Sequence, residues 1–346
     1  MKISKLFLSG LMGIFLLNSC SNDDDTITPE PISEGDYNNG LFVLNEGGIG
    51  SVTYISDDLQ TVENDIYAAV NEGDDIGQYA QSMFFTDELA FIISGSNVIT
   101  VVDRYTFELV GKVDTGLQGP RYGAVVDGKA YVTNHGAWDN YTDDYLVVID
   151  VETLEIEETI VIGDVAETVI AEDGLLYIQN AAFGNGSNNI SVFNPETKAI
   201  ERTIEANAAL NDFEIYENRI YALSEGGLQV RDLGSGEIVS EITFSEDLTG
   251  AGELDVDNDV IYYTINSDVY MVGADATEPA ENAIITISGS ESFSNLYGFE
   301  VQGGRIYVAD SGDYSSNSSI YIYSIGGELL EEIAVGIAPN GFYFNN

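Results

Sequence analysis

The sequence predicts an all-β fold, a seven-bladed β-propeller with four antiparallel strands per blade and a ring closed by the C-terminal strand. Three observations carry that prediction. One short pattern, an aromatic residue followed by mostly β-prone residues and ending on Asn, Ser or Asp, occurs seven times. Its copies begin at Phe42, Phe91, Tyr131, Tyr177, Tyr221, Tyr262 and Tyr307, spaced 49, 40, 46, 44, 41 and 45 residues apart. A period of this size marks a repeat architecture. The composition agrees, because 36 glycines and only 6 prolines with 44% hydrophobic residues suit many short strands joined by tight turns. The chain ends agree as well. The first unit opens on residues 41–45 without an inner strand ahead of it, and residues 339–344 at the other end supply one, which leaves no open edge. A β-sandwich is the runner-up fold, and it predicts neither the regular period nor the split unit.

The third unit shows the elements in order, here called a to d. Residues 123–126 are a short apolar strand, and Asp127-Gly128-Lys129 makes a hairpin turn whose glycine supplies a positive φ. Residues 130–134 form strand b, and a polar loop spans 135–144. Residues 145–150 are almost wholly apolar, as a strand covered on both faces must be. Residues 155–162 alternate as a half-exposed outer strand. The a–b turn recurs as Glu172-Asp173-Gly174, Glu217-Asn218, Asp257-Asn258-Asp259 and Gly303-Gly304. The c–d turn recurs as Asn194-Pro195-Glu196-Thr197, Gly234-Ser235-Gly236 and Gly326-Gly327.

The first residues read as a leader rather than as fold. Lys2 and Lys5 precede an apolar run over 6–17 that is too short to span a membrane permanently. It closes on Leu17-Asn18-Ser19-Cys20, the pattern of a bacterial lipobox, in which Cys20 is acylated and becomes the first mature residue. Expected boundaries are 1–19 for the signal peptide, 20–37 for the acylated cysteine and an acidic, Pro-containing tether, and 38–346 for the propeller. Cys20 is the only cysteine, so disulfide and thiol chemistry are not expected. Residues Ser21-Asn22-Asp23-Asp24-Asp25 resemble the acidic signal that exports lipoproteins to the outer face of the outer membrane. The charge balance is 59 acidic against 11 basic residues, and loss of Lys2 and Lys5 would leave 9 and a net charge of −50. Such a field repels nucleic acid.

In a propeller, the b–c and d–a loops emerge on one face around the central channel, and here those loops are the long and varied ones. Variable loops on a rigid scaffold are where binding resides. The third b–c loop holds Asn134, His135, Trp138, Asp139 and Tyr141, including the only tryptophan and only histidine. The fourth adds Asn180, Phe183 and Asn185, and the seventh Asp310 and Tyr314. The d–a loops contribute Gln78, Tyr79, Arg121, Tyr122, Asn211, Asp212, Glu253, Asn295, Tyr297 and Asn340, and the strand ends Glu46 and Glu225. Aromatic platforms mixed with amides suit a large, flat, amide-bearing ligand. Each residue also has a plainer role open to it: Trp138 in loop packing, His135 as a loop hydrogen-bonder, the others in bonding around the channel mouth.

Catalytic chemistry finds little support. One histidine and no mature cysteine leave no Cys–His pair and at most one serine triad, with no nucleophile-elbow sequence. No His or Cys cluster suits zinc or haem, so no metal and no cofactor are expected. Six scattered arginines do not build a sialidase-like site. Asp255-Val256-Asp257-Asn258-Asp259 resembles part of a calcium loop but falls on an a–b hairpin, where it reads as a turn. A glycosidase-style carboxylate pair stays open among so many acids.

Tyr131-Val132-Thr133-Asn134 matches the signature of the YVTN (YncE-like) family of bacterial propellers, and six weaker copies follow its spacing. With the lipobox and acidic tether, the chain resembles the surface lipoprotein propellers of Bacteroidetes, including the BtuG type. That resemblance implies a non-enzymatic outer-membrane lipoprotein, lipid-anchored through Cys20 and facing the cell exterior. It implies binding of cobalamin or another corrinoid on the long-loop face, and handover to a TonB-dependent outer-membrane transporter. A propeller enzyme acting on surface glycans or lactones, and a protein–protein interaction scaffold, are the alternatives.

Overall fold

The computed structural model describes residues 35–137, 139–181, 187–246, 248–287 and 295–345. Its strands form seven antiparallel sheets, the blades of a β-propeller. Cys20 and the leader lie outside the described residues. Tyr37, at the end of the expected tether, is buried beside Tyr54 and Phe107, with ring centroids 5.1 and 5.9 Å away.

Six sheets have four strands. The sheet of Ala251–Asp257, Val260–Ile265 and Asp268–Gly273 has three, and a single bridge from Val269 to Ile285 occupies its outer position. Closure follows the reading of the chain ends. Pro339–Phe344 pairs antiparallel with Gly40–Asn45, in the register Leu41 to Phe344 and Val43 to Phe342. This composite sheet is blade 1, and the others follow in chain order as blades 2 to 7.

The inter-strand turns come from local chemistry. Two-residue connections have both central residues at positive φ in Asp127-Gly128, Asp173-Gly174, Glu217-Asn218, Asn258-Asp259 and Gly303-Gly304. That backbone matches the right-handed twist of the flanking strands and favours Gly, Asn and Asp. It also settles Asp255–Asp259: this stretch is a strand end and a hairpin, not a calcium loop. Several c–d turns are held by the carboxylate or amide ending strand c. Asp103, Asp150 and Asn194 each accept two backbone N–H groups from the turn that follows.

The core lies between blades rather than within one layer. Seven apolar clusters occupy the seven seams. Strand b serves two of them by alternation. Phe42 and Leu44 face blade 2 while Leu41 and Val43 face blade 7, and Tyr131 faces blade 4 while Ala130 and Val132 face blade 2. In every blade the leading aromatic of the repeat faces the following blade, which is why the pattern opens on a large side chain. Close approach is required at Gly123, where a Cβ would sit 2.2 Å from the Phe84 ring.

One element departs from the strand-and-loop reading. The connection from blade 1 to blade 2 contains a five-residue helix, Ile66–Val70, whose Ile66 and Tyr67 are buried. Tyr67 reaches Asp74 through its hydroxyl at 2.7 Å.

Candidate ligand site at the channel mouth

Each inner strand begins at the long-loop face, so its first residues build the rim of the channel. A belt of hydrogen bonds ties neighbouring blades there. Asn340 Nδ2 donates to Ala80 O at 2.8 Å, Ser82 Oγ to Arg121 O at 2.6 Å, and Gln179 Nε2 to Asn211 O at 2.8 Å. Asn211 Nδ2 donates to Ala251 O at 2.6 Å. The belt uses three amide side chains and the Ser82 hydroxyl, each donating across a seam to a backbone carbonyl of the next blade.

Between blades 3 and 4 the belt becomes ionic. Arg121 Nε lies 2.9 and 3.1 Å from the two oxygens of Glu167, and its Nη1 donates to Gln81 Oε1 at 2.5 Å. His135 Nε2 lies 2.6 Å from Glu167 Oε2. Burial alone would raise the Glu167 carboxyl, but His135 and Arg121 outweigh it and hold the group below the usual range. Tyr122 stands beside this group, within 3.4 Å of Gln81 Nε2, and burial followed by the Glu167 charge pushes its hydroxyl far up.

Between blades 7 and 1, the Tyr297 hydroxyl donates to Glu46 Oε2, and Tyr314 meets the Tyr297 ring edge-on at 5.4 Å. The same corner carries Tyr79, whose N–H bonds Gly47 O while Ala80 N–H bonds Glu46 O. Tyr79 and Tyr314 are 56% and 51% exposed, and Ile49 in the adjoining loop is 62% exposed. Both tyrosines adopt left-handed backbone, with φ of 56° and 57°. A cleft of about 490 Å³ beside the short helix shares Ile49 and Gly50 with this rim.

Seven of the residues singled out from sequence therefore lie on one arc of the mouth: Tyr314, Tyr297, Glu46, Tyr79, Arg121, Tyr122 and His135. Others hold loops instead. Asn134 and Asn180 are fully buried. Asn134 accepts from Gln118 N–H at 3.1 Å, and Asn180 donates to Val165 O at 2.7 Å. Asp310 is 5% exposed and accepts from Asn295 and Gly312, and Glu225 accepts from Gly250 N–H at 2.7 Å. The polar residue ending strand b thus satisfies backbone groups of the loops beside it, away from solvent. Asp139 is exposed and Tyr141 half-buried. Trp138, Phe183 and Asn185 lie outside the described residues.

Sequence reading named Asp212 and Glu253 among the d–a loop residues but did not single out Glu167 or Gln81, nor Glu214 and Glu300 below the rim. The channel proper is a cavity of about 300 Å³ lined by inner-strand residues of all seven blades, including Ser82, Tyr122, Thr168, Asp212, Glu253 and Tyr343. Among the described residues no three His, Cys, Asp or Glu side chains converge closely enough to hold a metal ion. The signal that marks these acids is a period of two: Asp212 and Glu214, then Glu253 and Asp255, alternate along inner strands.

A family described as a domain of unknown function, DUF5074, matches residues 39–344, and the chain belongs to that family. No functionally curated protein matches the sequence. Among solved structures, a quinonprotein alcohol dehydrogenase-like protein from Bacteroides thetaiotaomicron VPI-5482 superimposes with a TM-score of 0.69 at 15% identity, covering 90% of this chain and 79% of that one. A functionally unknown protein from Desulfotomaculum acetoxidans DSM 771 gives 0.66 at 11% identity, covering 88% and 98%. BamB from Moraxella catarrhalis gives 0.54 at 15% identity, covering 88% and 85%. At these identities the likeness is one of fold.

Proposed function

We propose that this propeller is a non-enzymatic binding scaffold that takes a bulky, largely uncharged ligand on the aromatic arc of its channel mouth. The backbone at Tyr79 carries the reading. The residue just before the inner strand is left-handed in several blades, and elsewhere it is small: Gly119, Ala209, Gly250 and Ala338. A bulky side chain in that conformation is uncommon and costs about 1 kcal/mol or more. Blade 2 nevertheless places a tyrosine there, ring exposed, beside Tyr297 and the similarly strained Tyr314. Exposed aromatics held on strained backbone fit a surface kept for contact rather than for folding. Arg121 is matched by Glu167 on the same arc, so among the described residues the rim offers no free cation to an anionic ligand.

The finer reading follows the family resemblance: the ligand is a corrinoid, and the protein, anchored through Cys20 on the outer membrane, delivers it to a TonB-dependent transporter. Isothermal titration with cyanocobalamin and cobinamide tests this. Binding of either, weakened at least tenfold by Tyr79→Ala with Tyr314→Ala, supports the reading. No heat with any corrinoid removes it and leaves the scaffold with another ligand. One observation favours an enzyme instead, the acids Asp212 and Glu253, which sense each other's charge inside the cavity. Turnover of a glycan or lactone that Asp212→Asn abolishes would establish that alternative.

A further inference from the structure

The inner strands of blades 5, 6 and 7 bring five carboxylates to one side of the channel. Asp212, Glu214, Glu253 and Glu300 line the cavity, and Asp255 lies beside them at 9% exposure. Among the described residues no Lys, Arg or His lines that cavity. Two of the acids bridge seams between blades: Asp212 Oδ2 accepts Leu254 N–H at 2.9 Å, and Asp255 Oδ2 accepts Val301 N–H. Among the described residues Glu253 and Glu300 receive no hydrogen bond. The rest of the lining brings no compensating charge: Tyr343 from blade 1, Ser82 and Met83 from blade 2, Tyr122 from blade 3, Thr168 from blade 4. Asp257 stands behind Asp255 and adds a further negative charge. Arg121, at the rim, is bound to Glu167 and Gln81.

Five acids without a cation cannot all be ionised in so small a space at low cost. A metal ion is a poor remedy, because no three of the side chains converge on one point. Protons are the remaining one, as they are for any close carboxylate pair. We propose that the channel is a proton latch: near neutral pH the carboxylates of blades 5–7 share protons with one another, and losing those protons at higher pH loosens the ring along the two seams they bridge.

The electrostatics run the same way. Burial, then the Asp255 charge, pushes Glu214 up to about 8, and burial pushes Asp255 up to about 6. Asp212, Glu253 and Glu300 are raised as well, burial first in each case. The folded chain therefore holds more protons than the unfolded chain above the ordinary carboxylate range near 4. Stability from this cluster is intact below that range and falls as pH rises through about 6 to 8 and beyond. Surface acids also repel one another as pH rises, but salt screens that repulsion and screens half-buried acids facing one another inside a narrow channel less.

The test is thermal unfolding between pH 5 and 9 in 0.15 M and 1 M NaCl, for the full chain and for Glu214→Gln/Glu253→Gln/Glu300→Gln. The glutamines keep side-chain size, so the variant should fold. The expected wild-type result is a Tm lower by roughly 5 °C or more at pH 9 than at pH 5, persisting in 1 M NaCl. The triple variant should lose at least half of that fall. Equal slopes in the two proteins, or a slope that vanishes in 1 M NaCl, would overturn the latch. So would a Ca²⁺-dependent rise in Tm at pH 8 that the variant lacks, since a cation would then discharge the cluster.

Discussion

Two sides of one channel, built from the same repeated strand, treat buried charge in opposite ways. On the side of blades 3 and 4, Glu167 is enclosed by Arg121 and His135 and its carboxyl is held below the usual range. On the side of blades 5 to 7, Asp212, Glu214, Glu253, Asp255 and Glu300 have only backbone amides or one another, and their carboxyls are raised. The inner strand of a propeller blade therefore sets where a carboxylate sits but not what it does. The neighbouring blade decides that, by supplying a guanidinium or another acid. The aromatic arc of the mouth runs from Tyr314 and Tyr297 of blade 7 through Glu46 and Tyr79 to Arg121 and His135, so it borders both sides, whereas the proposed pH response belongs to the acids of blades 5 to 7 alone.

The comparison can be broken by substitution. Arg121→Met should have the largest effect, leaving Glu167 buried with only His135. Stability should fall by about 3–5 kcal/mol, read from urea unfolding at pH 7. Glu167→Gln keeps size but removes the charge that Arg121 and His135 both contact, and should lower stability by about 2–3 kcal/mol. The same change on the other side, Glu214→Gln, should raise stability at pH 8 by about 1–2 kcal/mol and leave it nearly unchanged at about pH 3, where the carboxyl is neutral in both states. If the two Glu-to-Gln changes share a sign at pH 8, the two sides are not different after all. Smallest of all, Tyr79→Gly should move stability by no more than about 1 kcal/mol, since relief of strain offsets greater freedom in the unfolded chain.

Much of the fold was legible because it rests on local signals that repeat. The I′ turns announce themselves through Asp127-Gly128 or Gly303-Gly304, and the orphan strand 339–344 is visible as soon as the blades are counted. The helix Ile66–Val70 was not legible, because five residues are too few to establish a helical period. At the site, exposure separated what sequence could not. Loop position set Tyr79, Tyr297 and Tyr314 apart from the seven repeat aromatics, whereas Asn134 and Asn180 look like exposed loop amides and are buried. Asp212 and Glu253 stood out by their place in the d–a loops, but Glu167, Glu214 and Glu300 were hidden among 59 acidic residues. Their meaning depends on which blade comes next, a long-range fact that no local pattern contains.

The most direct test of the division between binding arc and acidic side is a single ligand titration on three proteins. Trp138 is the only tryptophan, so indole fluorescence has a single source, and a corrinoid, which absorbs in that region, should quench it on binding. The wild type, Tyr79→Ala/Tyr314→Ala and Glu214→Gln/Glu253→Gln/Glu300→Gln are compared at pH 6, where all three should be folded. The expected result is a Kd at least tenfold weaker for the tyrosine variant, about 1.4 kcal/mol, and a Kd within twofold of wild type for the glutamine variant. Loss of binding in the glutamine variant with the tyrosine variant unaffected would contradict it.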